Sequence, residues 1–302
     1  MNTIVIQVPK TKINEMLVDY ARFIQNKKIP YAEFSAKKND TVITAYTSGK
    51  VVFQGIGAEK EASRWGVAKA KPAKKATSSA LPAGFSSLSV IGSDEVGNGS
   101  YFGPVTVAAT YVDKNHLARL KSLGVRDSKA MTDTEIRKLA KIIKQEIPFQ
   151  LLVVPPEKYN QIQPNYNAVH MKVALHNQAI YLLLKKISPE KPEAILIDQF
   201  TPEANYSKYV RSEKNQVTEK IYFATKGEGH HLAVAAASIL SRAAFLEELD
   251  KESDELGIIV PSGAGKNVDS IAAQVLQKGG LELLGKYAKL HFANTKKAQN
   301  LL

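Results

Sequence analysis

The chain falls into two blocks of differing hydrophobic pattern. In the first, TIVIQVP is a β-rich run ending at a proline, and TVITAYTSGKVVFQG reads as two strands around a Ser48-Gly49 turn. Between them, INEMLVDYARFIQNKK sets Ile13, Met16, Leu17, Tyr20 and Phe23 at steps of three and four, the stripe of an amphipathic helix. GAEKEASRW reads as a second, short helix. These elements predict a small sheet backed by two helices, whose other face is either covered or used. Tyr46, Lys50 and Gln54 are candidates for an open polar face, serving either a ligand or solubility alone.

In the second block SLSVIGSD, GPVTVAATYV and FQLLVVPP are β-rich, and the glycine-rich turn joining the first two predicts an antiparallel hairpin. A long helical stretch over 168–187 precedes AILIDQF, a short apolar strand of the buried, parallel kind. IYFATKG adds a fifth strand. HLAVAAASILSRAAFLEEL then reads as a long helix whose alanines let it lie close to a sheet. Three strands followed by strands separated by helices predict an α/β fold: a mixed five-stranded sheet with flanking helices. Between the blocks, VAKAKPAKKATSSALPAG (67–84) has linker composition, so the expected division is a small α+β domain over 1–66, a lysine-rich linker, and a larger domain over 85–302.

Charge sharpens this division. The 302 residues carry a net +12, and 14 Lys and Arg against 6 Asp and Glu up to Phe85 put +8 of it in the N-terminal segment. A lysine surplus attracts polyanions, nucleic acid foremost. With no cysteine, a disulfide framework and thiolate zinc sites are excluded. No apolar run reaches membrane-spanning length and MNTIVIQVPK lacks a signal pattern, so no membrane association and a cytoplasmic location are expected.

The candidate chemistry lies in the second block. Asp94 ends the first strand of that block in GSDEVGNGSYFGP, Asp198 is the only acid inside AILIDQF, and Glu228 follows the next strand in TKGEGHH. A carboxylate in a buried strand costs several kcal/mol unless paired or metal-bound, so Asp198 requires a lysine or a divalent cation. With Glu95, four carboxylates at the ends of three neighbouring strands make an all-oxygen site suited to Mg²⁺ or Mn²⁺ and to two-metal hydrolysis of a phosphodiester. In a regular strand Asp94 and Glu95 point to opposite faces. A strand that ends or bulges at Gly97 would turn Glu95 back to the site, and the bare backbone of Gly97, Asn98 and Gly99 would admit a sugar-phosphate. Other candidates weigh less: Lys129 in Asp127-Ser128-Lys129 as a phosphate ligand, His230 and His231 as helix-flanking residues, PSGAGK (261–266) as an incomplete phosphate loop, and Glu247, Glu248 and Asp250 as a solvated helix face.

GSDEVGNGSYFGP, RDSK, ILIDQF, TKGE with HLAVAAASILSR, and KLHFANTKKA together resemble the type 2 ribonucleases H, most closely bacterial ribonuclease HIII, across residues 86–302. Residues 1–66 are similar in layout to that family's TATA-box-binding-protein-like domain. The resemblance implies an RNase H-like fold and endonucleolytic cleavage of the RNA strand of RNA–DNA hybrids, leaving 5′-phosphate and 3′-hydroxyl ends. It places the catalytic, metal-holding carboxylates on Asp94, Glu95, Asp198 and Glu228, and substrate contacts on Gly97, Asn98, Gly99 and Lys129. Glutamate rather than aspartate at 228 favours the HIII branch. Two divalent ions, no organic cofactor and a monomer are the further expectations. Ser262 departs from the lysine frequent at that place. The rival readings are an RNase H-fold nuclease or transposase acting on DNA, and a non-enzymatic nucleic-acid binder.

Overall fold

The computed structural model describes residues 3–26, 29, 31–66 and 81–302, so most of the expected linker, 67–80, lies outside the described residues. The chain divides into two compact units, Met1–Thr77 and Ser78–Leu302.

The first unit runs β1 (Thr3–Gln7), α1 (Lys10–Asp19), β2 (Ala32–Lys38), β3 (Thr41–Tyr46), β4 (Lys50–Gly55) and α2 (Ala58–Ser63). Its four strands are antiparallel in the order β1-β4-β3-β2. One sheet face buries Ile6, Phe34, Ile43, Val51 and Phe53 against Ile13, Met16 and Tyr20. Two expectations are corrected. The helix begins at Lys10 behind Pro9 and ends at Asp19, giving way to a single 3₁₀ turn, Ala21–Phe23; Leu17 and Phe23 are partly exposed rather than core. AEFSAKK is a strand, unpredicted because it lies at a sheet edge, where charged residues such as Glu33 and Lys37 are tolerated. The periodicity of two places Tyr46, Lys50 and Gln54 on the face away from the helices.

The second unit runs β5 (Val90–Val96), β6 (Val105–Val112), α3 (Leu117–Ser122), α4 (Asp133–Glu146), β7 (Phe149–Val154), α5 (Pro156–Ile162), α6 (Ala168–Ile187), β8 (Ala194–Asp198), α7 (Glu203–Val210), β9 (Ile221–Ala224), α8 (Leu232–Leu256), α9 (Lys266–Tyr287) and α10 (Ala293–Gln299). The sheet order is β7-β6-β5-β8-β9, antiparallel through the β5–β6 hairpin and parallel from β5 to β8 and β9. α4 opens with a reciprocal cap between Thr132 and Glu135.

Alternation along the strands fixes which side chains meet which helix. Val90, Ala108 and Leu196 face α4 and α8, whereas Ile91, Val107, Ala109 and Ile197 face α6. The alanine run allows the close approach expected of it: a Cβ at Gly92 would stand 2.2 Å from the Val234 amide nitrogen. No described helix is long and apolar enough to cross a membrane.

Candidate active site

β5 and β8 run parallel side by side, with the turn after β9 next to them, so three chain segments far apart in sequence deliver acids to one end of the sheet's strands. Asp94, Glu95 and Asp198 line a recess of about 400 Å³ together with Lys129, Ser238 and Arg242. Asp94 and Asp198 share the strand parity that faces α8. Asp94 is buried, and its Oδ1 accepts from the Glu95 amide at 2.8 Å. Burial and the charges of Glu95 and Asp198 push its carboxyl up to about 7, opposed by the nearby Ser238 hydroxyl and the Glu95 amide. Asp198 Oδ1 accepts from the Gly227 amide at 2.8 Å. Its pKa also rises, chiefly through burial and then through Glu228 and Glu95, with the Gly227 amide opposing.

Glu228 is carried by a 3₁₀ turn, Gly227–Gly229, entered through a left-handed Lys226 (φ 57°). Its Oε1 lies 3.5 Å from Lys129 Nζ, while Oε2 is buried with no hydrogen-bond partner. Lys129 follows Asp127, whose side chain accepts from the Lys129 amide and fixes the turn. Although partial burial opposes it, the Lys129 pKa is raised by Glu228, Asp127 and Asp94.

The expectation for the Asp94-Glu95 pair is corrected. β5 keeps its register with β6 to Val96 and ends there, directly before Gly97 as one of the two alternatives expected, but without a bulge and two residues beyond Asp94. Glu95 therefore stays on the α6 side, where Oε1 accepts from Lys172 Nζ at 2.8 Å and Oε2 from His176 Nε2 at 3.0 Å. These partners hold it ionised below the usual carboxylate range despite burial. His176 is fully buried, with Nδ1 2.7 Å from Ser93 Oγ and its ring stacked on Phe200. The pair thus reaches the recess from both sides of the strand. Among the described residues no three ligating side chains are gathered tightly enough to chelate one cation as they stand.

Gly97, Asn98 and Gly99 follow β5 directly. Gly97 has φ +93° and a Cβ there would stand 2.1 Å from the Pro104 carbonyl oxygen, whereas Gly99 is exposed with no atom within 4 Å of such a Cβ. His231 caps α8, Nδ1 accepting from the Ala233 amide, as a helix-flanking role predicts. The 261–266 loop packs against Ser100 and Tyr101, and Glu247 and Asp250 are solvated. Lys172 and His176 escaped the sequence reading: they are two polar positions in a long helix, with nothing local to tie them to Glu95.

Residues 91–295 match the family model described as Ribonuclease HII, and residues 3–78 match a domain of unknown function, DUF3378. Fold and matched range define the class, a type 2 ribonuclease H. Ribonuclease HIII of Enterococcus faecalis is 66% identical over 99% of this chain and 98% of its own. Ribonuclease HIII of Bacillus mycoides is 48% identical over 100% and 99%. Among solved structures, Bst-RNase HIII in complex with Mn²⁺ superimposes with TM-score 0.70 at 40% identity, covering 99% of both chains. Aquifex aeolicus RNase H3 shares the fold, with TM-score 0.54 at 23% identity over 96% of this chain and 99% of its own. The chain belongs to the ribonuclease HIII family.

Proposed function

We propose that the protein hydrolyses the RNA strand of RNA–DNA hybrids at internal positions, with Asp94, Glu95, Asp198 and Glu228 as its catalytic carboxylates. The observation that carries this is the meeting of Asp94, Glu95 and Asp198 in one recess at the ends of two adjacent parallel strands, with Glu228 beside them. Hard oxygen donors of this kind suit Mg²⁺ or Mn²⁺, and the unpartnered Glu228 Oε2 is a lone pair free for such an ion. Two divalent ions held there would activate the attacking water and stabilise the leaving oxygen. Glu95 and Glu228 would turn from Lys172, His176 and Lys129 toward the ions, while Asp94 and Asp198 stay anchored by backbone amides. Repulsion among the carboxylates, which raises the pKa of Asp94 and Asp198 without ions, would be relieved by bound divalent ions instead.

The protein's own groups bind and orient the rest. The exposed amides near Gly99 approach the ribose, whose 2′-hydroxyl separates RNA from DNA, and Lys129 faces the phosphate from the rim of the recess. Water attacks the phosphorus, the bond to the 3′ oxygen breaks, and the products carry 5′-phosphate and 3′-hydroxyl ends. The N-terminal unit, as a TATA-box-binding-protein-like module over 1–66, holds substrate through its open sheet face with Tyr46, Lys50 and Gln54. A cysteine-free chain suits the cytoplasm, and one chain holds the whole carboxylate set, so a monomer suffices.

The test is incubation of end-labelled RNA–DNA hybrid, duplex DNA and single-stranded RNA with protein and Mg²⁺ or Mn²⁺. Cleavage of the hybrid's RNA strand alone, with 3′-hydroxyl ends extendable by a polymerase, is expected. Cutting of duplex DNA supports the transposase-like reading, and binding without cleavage the non-enzymatic one.

A further inference from the structure

Behind the glycine loop lies a lysine with no solvent contact. Lys289, the first residue of the C-terminal KLHF stretch, is 0% exposed, and its Nζ donates to the backbone carbonyls of Ser100 (2.8 Å) and Gly103. Its backbone amide donates to the Tyr101 carbonyl at 2.9 Å, and the Gly103 amide donates to that of Tyr287 at 3.1 Å. A second segment, the 261–266 loop, reaches the same place: the Tyr101 amide donates to Gly263 O and the Gly263 amide to Ser100 Oγ, both at 2.9 Å. Tyr101 and Phe102 are fully buried in the cluster formed with α8 and α9.

A buried ammonium is costly, and an aliphatic side chain would fill this apolar cluster without that penalty. Lysine supplies what an aliphatic chain does not, namely several donors at the end of a long stem, here spent on two carbonyls that the loop turns inward. Burial lowers the Lys289 pKa to about 7 and raises that of Glu252, buried on α8 with an Oε2 that no group satisfies, to about 8, so both groups are drawn toward their neutral forms. The loop is therefore fastened from behind at Ser100, Tyr101 and Gly103, while its front at Gly99 is bare. A rigid back and an open front are the conditions for amides that read a sugar without reorganising.

We propose that Lys289 is a positioning residue for ribose recognition: its buried Nζ donates to the Ser100 and Gly103 carbonyls and thereby fixes the direction of the Gly97–Gly99 backbone. This rests on the reading of that loop as the 2′-hydroxyl contact.

The experiment uses the full chain carrying Lys289→Met, which keeps a long unbranched side chain and removes the donors. Cleavage of a hybrid with ribose throughout is compared with that of one carrying a single 2′-deoxy sugar at the preferred step. The expected result is a fall in the ribose-to-deoxy ratio of about fivefold to a hundredfold, the worth of the two hydrogen bonds removed. The Mg²⁺ dependence should be unchanged, and amide hydrogen exchange should quicken in 97–103 more than in β5 or α8. A folded variant that keeps the parent ratio and exchange rates in 97–103 overturns the proposal, whatever its thermal stability. If Lys289→Met does not fold, Lys289→Arg, which keeps donors on a long stem but misplaces them, is read the same way: an unchanged ratio overturns the proposal and a lowered one supports it. A parent protein that cleaves both hybrids alike would refute the loop reading itself, and this proposal with it.

Discussion

Two glycines two residues apart separate folding from recognition. Gly97→Ala places a methyl group 2.1 Å from the Pro104 carbonyl oxygen and 3.0 Å from Phe245, at φ +93°. The left-handed backbone alone costs about 1–2 kcal/mol for a residue with a Cβ, and the overlap with backbone adds to it. Gly99→Ala meets nothing within 4 Å and is not at positive φ, so its stability should stay within about 1 kcal/mol of the parent, with a small gain from a stiffer unfolded chain. Its methyl group nevertheless occupies the space through which the sugar must approach. Loss of one or two close backbone contacts, at about 0.5–1.5 kcal/mol each, lowers kcat/KM roughly threefold to a hundredfold. The assay is steady-state cleavage of a labelled hybrid, with folding checked by urea denaturation. Gly97→Ala should lose stability and activity together, and Gly99→Ala activity alone. A well-folded Gly99→Ala that cleaves within about twofold of the parent refutes the assignment of this loop to the ribose.

Lys129→Ala should leave stability unchanged, since the side chain is largely exposed, yet slow cleavage at saturating hybrid about tenfold to a hundredfold through loss of a positive charge beside the phosphate. Removal of residues 1–66 should weaken hybrid binding and flatten the dependence of log K on log[salt], leaving the metal requirement intact; equal slopes and affinities would deny that unit a role in holding substrate. Glu61 accepts from Tyr20, Lys38 and Arg64, which outweigh burial and keep its pKa below the ordinary carboxylate value. Its contribution is thus present above the unfolded value near 4.5 and lost as pH falls through the folded one. Glu61→Gln should lower the stability of the N-terminal unit by about 1–3 kcal/mol at neutral pH and flatten its acid limb, followed by fluorescence of Trp65, the single tryptophan, whose indole donates to Tyr20.

The carboxylate strands were legible because a buried acid contradicts its surroundings: Asp198 stands alone in an apolar run, and Asp94 follows the apolar start of β5. Strand type followed from the same pattern, the β5–β6 hairpin from its glycine turn and the parallel β8 from its continuous apolar stretch. Glu95 was legible as a residue but not in its setting, because its partners Lys172 and His176 come from a helix about 80 positions away whose buried polar side chains leave no mark on its periodicity. β5 ends directly before Gly97 without a bulge, and that end does not bring Glu95 round; ordinary strand alternation, with Lys172 and His176 as partners on the α6 face, accounts for its position. β2 was hidden by the charged residues an edge strand tolerates. Glu252 and Lys289 were invisible for a related reason: a charged residue in a polar-looking helix or tail declares nothing about burial, which is decided by what packs over it.

The central claim, that these carboxylates form a metal-dependent hybrid nuclease, is tested most directly by Asp198→Asn. The amide keeps an oxygen able to accept from the Gly227 amide, so the turn that carries Glu228 should hold and the fold survive, but it lacks the charge needed to retain divalent ions. Cleavage of a labelled RNA–DNA hybrid is measured across a titration of Mg²⁺ and of Mn²⁺ for the parent and for Asp198→Asn, with both shown to be folded. The account predicts metal-dependent cutting of the RNA strand by the parent and loss of at least about a thousandfold in the variant at every metal concentration. A folded Asp198→Asn that cuts the hybrid near the parent rate in Mg²⁺ would contradict it.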